Sequence, residues 1–167
     1  STRISYQGQT IDLAPPWVRL DLRAAVAERS GIDYQDHPMA ESLLSAMRQA
    51  GLQPAPGTAR GKLIETLLER YVEPELIQPT FLVDYPRDIS PLAKSKPGAP
   101  GTVERFEGFV AGMEICNAFT ELNDPLEQEQ RFLELGRTYA KDDVERHPMD
   151  EDYLRAMRYG MPPNGGF

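Results

Sequence analysis

The sequence predicts an α+β fold, an antiparallel sheet with a helical insertion, from three observations. Residues 103–110 and 113–119 are rich in aromatic and β-branched residues and flank Ala111-Gly112, the pattern of a β-hairpin. Ahead of them, apolar residues at helical spacing form two stripes, Leu43, Leu44 and Met47, then Leu63, Ile64, Leu67, Leu68 and Tyr71. The elements are also grouped: a short hairpin, a helical middle, strands, then helices. With 167 residues, 40% of them hydrophobic, the chain is long enough for one domain with its own core.

Taken in order, residues 4–6 and 10–13 flank Gln7-Gly8 as a first hairpin. Asp21 caps a helix that runs to Ser30, where Gly31 stops it. A second helix covers 40–50 and stops at Gly51, and Thr58 opens a third that continues to the break before Pro74. These helices, about 38–75, are the expected insertion at the rim of the sheet, their stripes packed against each other. Residues 80–84 form a strand, while 85–102 read as a loop from Pro86, Pro91, Pro97 and Pro100, with Lys94 and Lys96 as mobile solvated lysines. Asp124-Pro125-Leu126-Glu127 combines an N-cap, a proline at the first helical position and a capping-box glutamate, so Glu127 and Glu129 read as capping and surface acids. Asp150 begins the last helix, with Tyr153, Leu154 and Met157 inward, and Gly160 ends it. Met161-Pro162-Pro163 then runs extended, back toward the sheet.

The central hairpin carries acids, Glu107 and Glu114, with Glu121 beyond them, where core strands should have none. With a two-residue loop, Val110 faces Met113, Phe109 faces Glu114 and Glu107 faces Cys116, so Glu107, Phe109, Glu114 and Cys116 share one face. The two glutamates are then diagonal neighbours, with Cβ atoms roughly 7–8 Å apart. Such a pair, partly buried and without a counter-ion, repels and resists desolvation. One hard cation, magnesium on nucleotide phosphates, resolves both problems. Paired glutamates on a hairpin are more often one solvated face of a sheet, but this pair shares its face with Phe109 and Cys116. Phe106, Val110, Met113 and Ile115 make the other face apolar. Simple alternation puts Asn117, Phe119 and Glu121 opposite Glu114, unless a bulge near Ile115 or Cys116 shifts the register.

The run RFEGFVAGMEICNAFTELNDPLEQEQRF, residues 105–132, resembles the strand pair and following helix in the catalytic domain of class II lysyl-tRNA synthetases. In matching order, LIQPTFLVDYPRDISPLAK at 76–94 resembles that family's core strands, and MDEDYLRAMRYGMPPNGGF at 149–167 the approach to its third class motif. The opening ISYQGQTIDLAPPWVRLDL resembles the segment after its second motif. By resemblance, Glu107 and Glu114 hold the magnesium ions of bound ATP, and the backbone around Ile115 lies beside the nucleotide. Asn117 is near the carboxylate end of the substrate lysine, Phe119 along its alkyl chain, and Glu121 receives its ε-ammonium. No side chain is implied as a nucleophile, acid or base. Because Glu114 and Glu121 must then serve one cavity, a β-irregularity is expected at 115–117.

The activity implied is ATP-dependent attachment of lysine to its tRNA through lysyl-adenylate, by a cytoplasmic homodimer. On this resemblance the chain is expected to be part of a catalytic domain, lacking the OB-fold and motifs 1, 2 and 3, and inactive alone. A net charge of −8 disfavours a large tRNA-binding surface here and leaves most tRNA contact to other parts. The single cysteine, Cys116, excludes an internal disulfide and reads as a small packing residue, and no apolar run is long enough to span a bilayer. His37 and His147 lie in polar connections and are not read as catalytic. Two features depart from the family: Asn164 stands where threonine is usual, and 135–147 is shorter or differently composed. Relatives of this family lysylate a translation factor or a membrane lipid, and a non-catalytic binding module is a further alternative. The intact SPLAK and ICNAFTELND segments favour the tRNA enzyme.

Overall fold

Element ends follow from local chemistry. In a computed structural model, which describes residues 1–138 and 149–167, β1 (Arg3–Tyr6) and β2 (Gln9–Asp12) form the first hairpin. Its turn residues Gln7 and Gly8 both have positive φ, the turn geometry that matches strand twist. A short strand that the sequence reading missed, β3 (Val18–Asp21), runs directly into α1 (Leu22–Ser30). Asp21 accepts from the Ala24 amide, and Gly31 ends α1 in the left-handed conformation. α2 (Ala40–Gln49) buries Leu43 and Met47, and α3 (Arg60–Tyr71) buries Leu63, Ile64, Leu67 and Leu68. Thr58 does not cap α3, because its hydroxyl donates to the Ala55 carbonyl and the cap position is taken by Ala59.

After β4 (Thr80–Val83), the stretch expected as loop holds a 3-10 turn and a second hairpin, β5 (Ser95–Lys96) with β6 (Ala99–Val103). Pro97-Gly98 is its turn, not a sign of irregular chain. Its lysines are held: Lys96 Nζ reaches both oxygens of Asp84 at 2.7 and 2.6 Å, and Lys94 Nζ donates to Asn123 Oδ1 at 3.2 Å.

β7 (Arg105–Val110) and β8 (Met113–Thr120) form the central hairpin, with Ala111 and Gly112 both at positive φ. Asp124 caps α4 (Pro125–Thr138), accepting from the Leu126 and Glu127 amides. Glu127 is not a capping-box acid; it pairs with Arg131 one turn on and accepts from Ser95. Asp150 caps α5 (Glu151–Arg158), which buries Leu154 and Met157 against Phe132. Glu129 bonds Arg158 across the two helices. The chain returns to the sheet as β9 (Gly165–Gly166), beside Phe119 and Thr120. His147, and 139–147 of the stretch that departs from the family, lie outside the described residues.

The main sheet has the order β3-β4-β7-β8-β9. All its pairs are antiparallel except β3–β4, which is parallel. Parallel neighbours need a long crossover, and α1 to α3 lie within this one. They pack on the sheet face carrying Leu82 and Phe109, so that Leu22, Val26, Leu43, Met47, Leu63 and Leu67 form one core with it. No helix among the described residues is long and apolar enough to cross a membrane.

Candidate functional site

β7 and β8 oppose Val110 to Met113 and Phe109 to Glu114, then pass over Ile115, so that Gly108 meets Cys116 and Glu107 meets Asn117. The extra residue is a β-bulge, within the 115–117 stretch where an irregularity was expected. Directly opposed residues share a face. Arg105, Glu107, Phe109, Glu114, Asn117 and Phe119 therefore lie together, with Phe106, Gly108, Cys116 and Ala118 on the reverse. This corrects simple alternation, which set Cys116 beside Glu107. Cys116 instead packs on Gly108, where an added Cβ would come within 2.5 Å of its sulfur. Nor are all the apolar residues assigned to the reverse face covered, since Met113 is 44% and Ile115 51% exposed.

Glu107 is buried at 7% exposure and has the counter-ion that a bare carboxylate pair would lack. Arg105 Nη2 donates to its Oε1 at 2.5 Å and the Tyr85 hydroxyl to its Oε2 at 2.6 Å. Burial, followed by the charge of Glu107, pushes the Tyr85 phenol far above its usual range and keeps it a donor. The same guanidinium reaches Asn117 Oδ1 through Nε at 3.2 Å.

Glu114 is exposed, yet partial burial and then the charge of Glu107 push its carboxyl up. Glu73, in the turn after α3, is raised by burial and then by Glu69, Glu107 and Glu114. The charge of Glu107 thus acts on both Glu73 and Glu114, and Arg105 offsets part of it at Glu114. The donors fit a hard divalent cation: each Glu107 oxygen accepts one hydrogen bond and keeps a lone pair, and Glu114 is open to solvent. Among the described residues no group of three or more His, Cys, Asp or Glu is placed to hold a metal ion. Two carboxylates completed by substrate oxygens and water are a usual magnesium shell.

Glu121 lies just past β8, tied by a bridge to Ala93 and by its amide to the Asn164 carbonyl at 3.1 Å. That contact is made by backbone, so the asparagine side chain takes no part in it. Glu121 Oε1 lies against Gly166, 3.2 Å from where a Cβ would stand. Phe119 and Glu121 line one cavity of about 700 Å³ with Leu92, Phe132, Tyr153 and the acids Asp150, Glu151 and Asp152, whereas Glu107, Glu114 and Asn117 do not line it. An apolar wall beside a carboxylate suits an alkylammonium group.

Three residues escaped the sequence reading. Arg105 was legible, since two residues before Glu107 on the same strand puts it on the same face. Arg131, 3% exposed, was signalled only by its spacing from Glu127. It donates to the carbonyls of Ser90 and Ala93 and to Ser95 Oγ, fixing the segment that bridges to Glu121. Tyr85 had no signal, being 22 positions from Glu107.

Residues 2–167 match the family of class II tRNA synthetases (D, K and N). The chain is 55% identical to the lysine–tRNA ligase of Roseiflexus castenholzii over 166 residues, 99% of the chain and 34% of that protein. It is 53% identical to that of a Roseiflexus species and 49% identical to that of Chloroflexus aurantiacus, each with the same coverage. The chain thus spans about a third of the length of the curated relatives it matches.

Proposed function

The chain belongs to the class II tRNA synthetases (D, K and N), and from that premise we propose that it forms the amino-acid and nucleotide site of an enzyme that attaches lysine to its tRNA through lysyl-adenylate. The observation that carries this reading is the bulge at Ile115, which sets Glu107, Glu114, Asn117 and Phe119 on one face with Glu121 just beyond. The names of the relatives, all lysine–tRNA ligases, support it.

In this reading Glu121 accepts the lysine ε-ammonium, Phe119 covers its methylenes, and Asn117 faces its carboxylate. The backbone at Ile115 lies beside ATP. The lysine carboxylate attacks the α-phosphorus and pyrophosphate leaves. A tRNA ribose hydroxyl then attacks the adenylate carbonyl, AMP leaves, and the hydroxyl proton passes to the departing phosphate. The site residues form no covalent bond and move no proton; they orient the two substrates and set the charge around them. Glu107 and Glu114 would hold the magnesium that accompanies ATP, whose chemistry is to neutralise phosphate charge. Most tRNA contact and the dimer interface fall to other parts of a cytoplasmic enzyme, consistent with the net charge of −8 on this chain.

An analogue without the ammonium would leave Glu121 desolvated and unpaired, which is a strong ground for rejection. In a full-length enzyme carrying this sequence, Glu121→Gln should raise the KM for lysine by at least about thirtyfold and that for ATP by less than about threefold. Equal losses in both would overturn the assignment of Glu121.

A further inference from the structure

We propose that Arg105 is a positioning residue that orients the amide of Asn117 and fixes the carboxylate of Glu107 at once, so that one guanidinium sets both the amino-acid and the metal–nucleotide halves of the site. This rests on the lysine-and-ATP reading given above, and it adds a residue that reading does not contain.

A guanidinium has donors only. With Nε of Arg105 3.2 Å from the Asn117 side-chain oxygen, that oxygen must turn toward Arg105, and the amide presents its two N–H donors the other way. Donors are what a substrate carboxylate requires. The second arm, Nη2, takes Glu107 Oε1 at 2.5 Å while Tyr85 takes Oε2, so this carboxylate is held from both sides. The guanidinium is itself clamped. Its Nη1 donates to the Ile89 carbonyl at 2.8 Å and to Ser90 Oγ at 2.9 Å, and its Cζ lies over the Tyr85 ring, 4.7 Å from the centroid. The side chain is only 17% exposed. A planar fork matches these separated acceptors, whereas a lysine ammonium keeps the charge but cannot hold them all.

The test is a double-mutant cycle on lysine affinity, measured by calorimetry without ATP or magnesium in a full-length enzyme carrying this sequence. Asn117→Ala should weaken lysine about tenfold and Arg105→Lys about fivefold, the loss of one or two hydrogen bonds. In the Asn117→Ala background, Arg105→Lys should cost less than about twofold, because its effect runs through the missing amide. A cost of about fivefold in both backgrounds would show a general structural role and overturn the proposal while leaving the lysine site intact. No effect of Asn117→Ala would overturn the lysine reading at that residue, and the proposal with it. Should Arg105→Lys fail to fold, Ser90→Ala removes one anchor of the guanidinium and replaces it in the same cycle. It should weaken lysine about twofold with Asn117 present and not at all in its absence; the same loss in both backgrounds would overturn the proposal.

Discussion

Glu107 and Asn117 stand directly opposite each other across the β7–β8 ladder because Ile115 drops out of it. Without the bulge, every residue after Glu114 would change faces, and Asn117 and Phe119 would turn from the side that carries Glu107. The proposed site is therefore set by one unpaired residue as much as by its acids.

Deleting Ile115 joins Glu114 to Cys116 and leaves the same residues opposed, so the faces survive while the bulged backbone goes. Lysine affinity should stay within about threefold and nucleotide affinity fall at least about tenfold by calorimetry. Retained nucleotide affinity would remove the bulged backbone from the nucleotide site.

The two proposed metal carboxylates should differ sharply in what they do for stability. Glu107→Ala leaves Arg105 in a buried site without its carboxylate and strands the Tyr85 hydroxyl, a loss of about 3–5 kcal/mol. Glu114 is exposed, and Glu114→Ala should change stability by no more than about 0.5 kcal/mol. Urea unfolding of each variant, compared at equal m, measures both.

Much of this was legible in the sequence where chemistry is local. The caps at Asp21, Asp124 and Asp150 and the turn at Ala111-Gly112 each act within four residues, and each is found where it was expected. The bulge was legible less directly, as a conflict between period-two alternation and the residues that the resemblance assigns to one cavity. Long-range pairing was not legible. Nothing near β3 says that it lies parallel to β4, and nothing near Lys96 says that Asp84 will hold it. The prolines of 85–102 misled because Pro97-Gly98 closes a hairpin as readily as it breaks a strand.

Gly108 has no room for a side chain. A Cβ there would fall 2.5 Å from Cys116 Sγ, so Gly108→Ala should destabilise by about 1–3 kcal/mol through overpacking. Pairing it with Cys116→Ala removes the clashing sulfur and should recover most of that loss. The two changes would then be non-additive, and additive losses in thermal unfolding would place the strain elsewhere, for instance at the Phe81 ring 3.5 Å away.

The carboxyls of Glu114 and Glu73 are pushed above their ordinary value of 4.5 in the folded chain, by burial first and then by neighbouring acids. An unfolded chain releases those protons earlier. Between 4.5 and the raised values the folded state holds more protons, so these two groups make stability fall as pH rises. A divalent cation on Glu114, one of the two proposed metal carboxylates, competes with protons there and should be favoured in the opposite sense. In a full-length enzyme, the rise in Tm caused by magnesium with ATP should therefore be larger at about pH 7 than at about pH 5. Glu114→Gln removes one titrating acid and should flatten that difference, and in the absence of ligand it should raise Tm at neutral pH by no more than about 2 °C, Glu114 being exposed. An equal rise at both pH values in the unsubstituted enzyme would mean that protons on Glu114 do not compete with the cation.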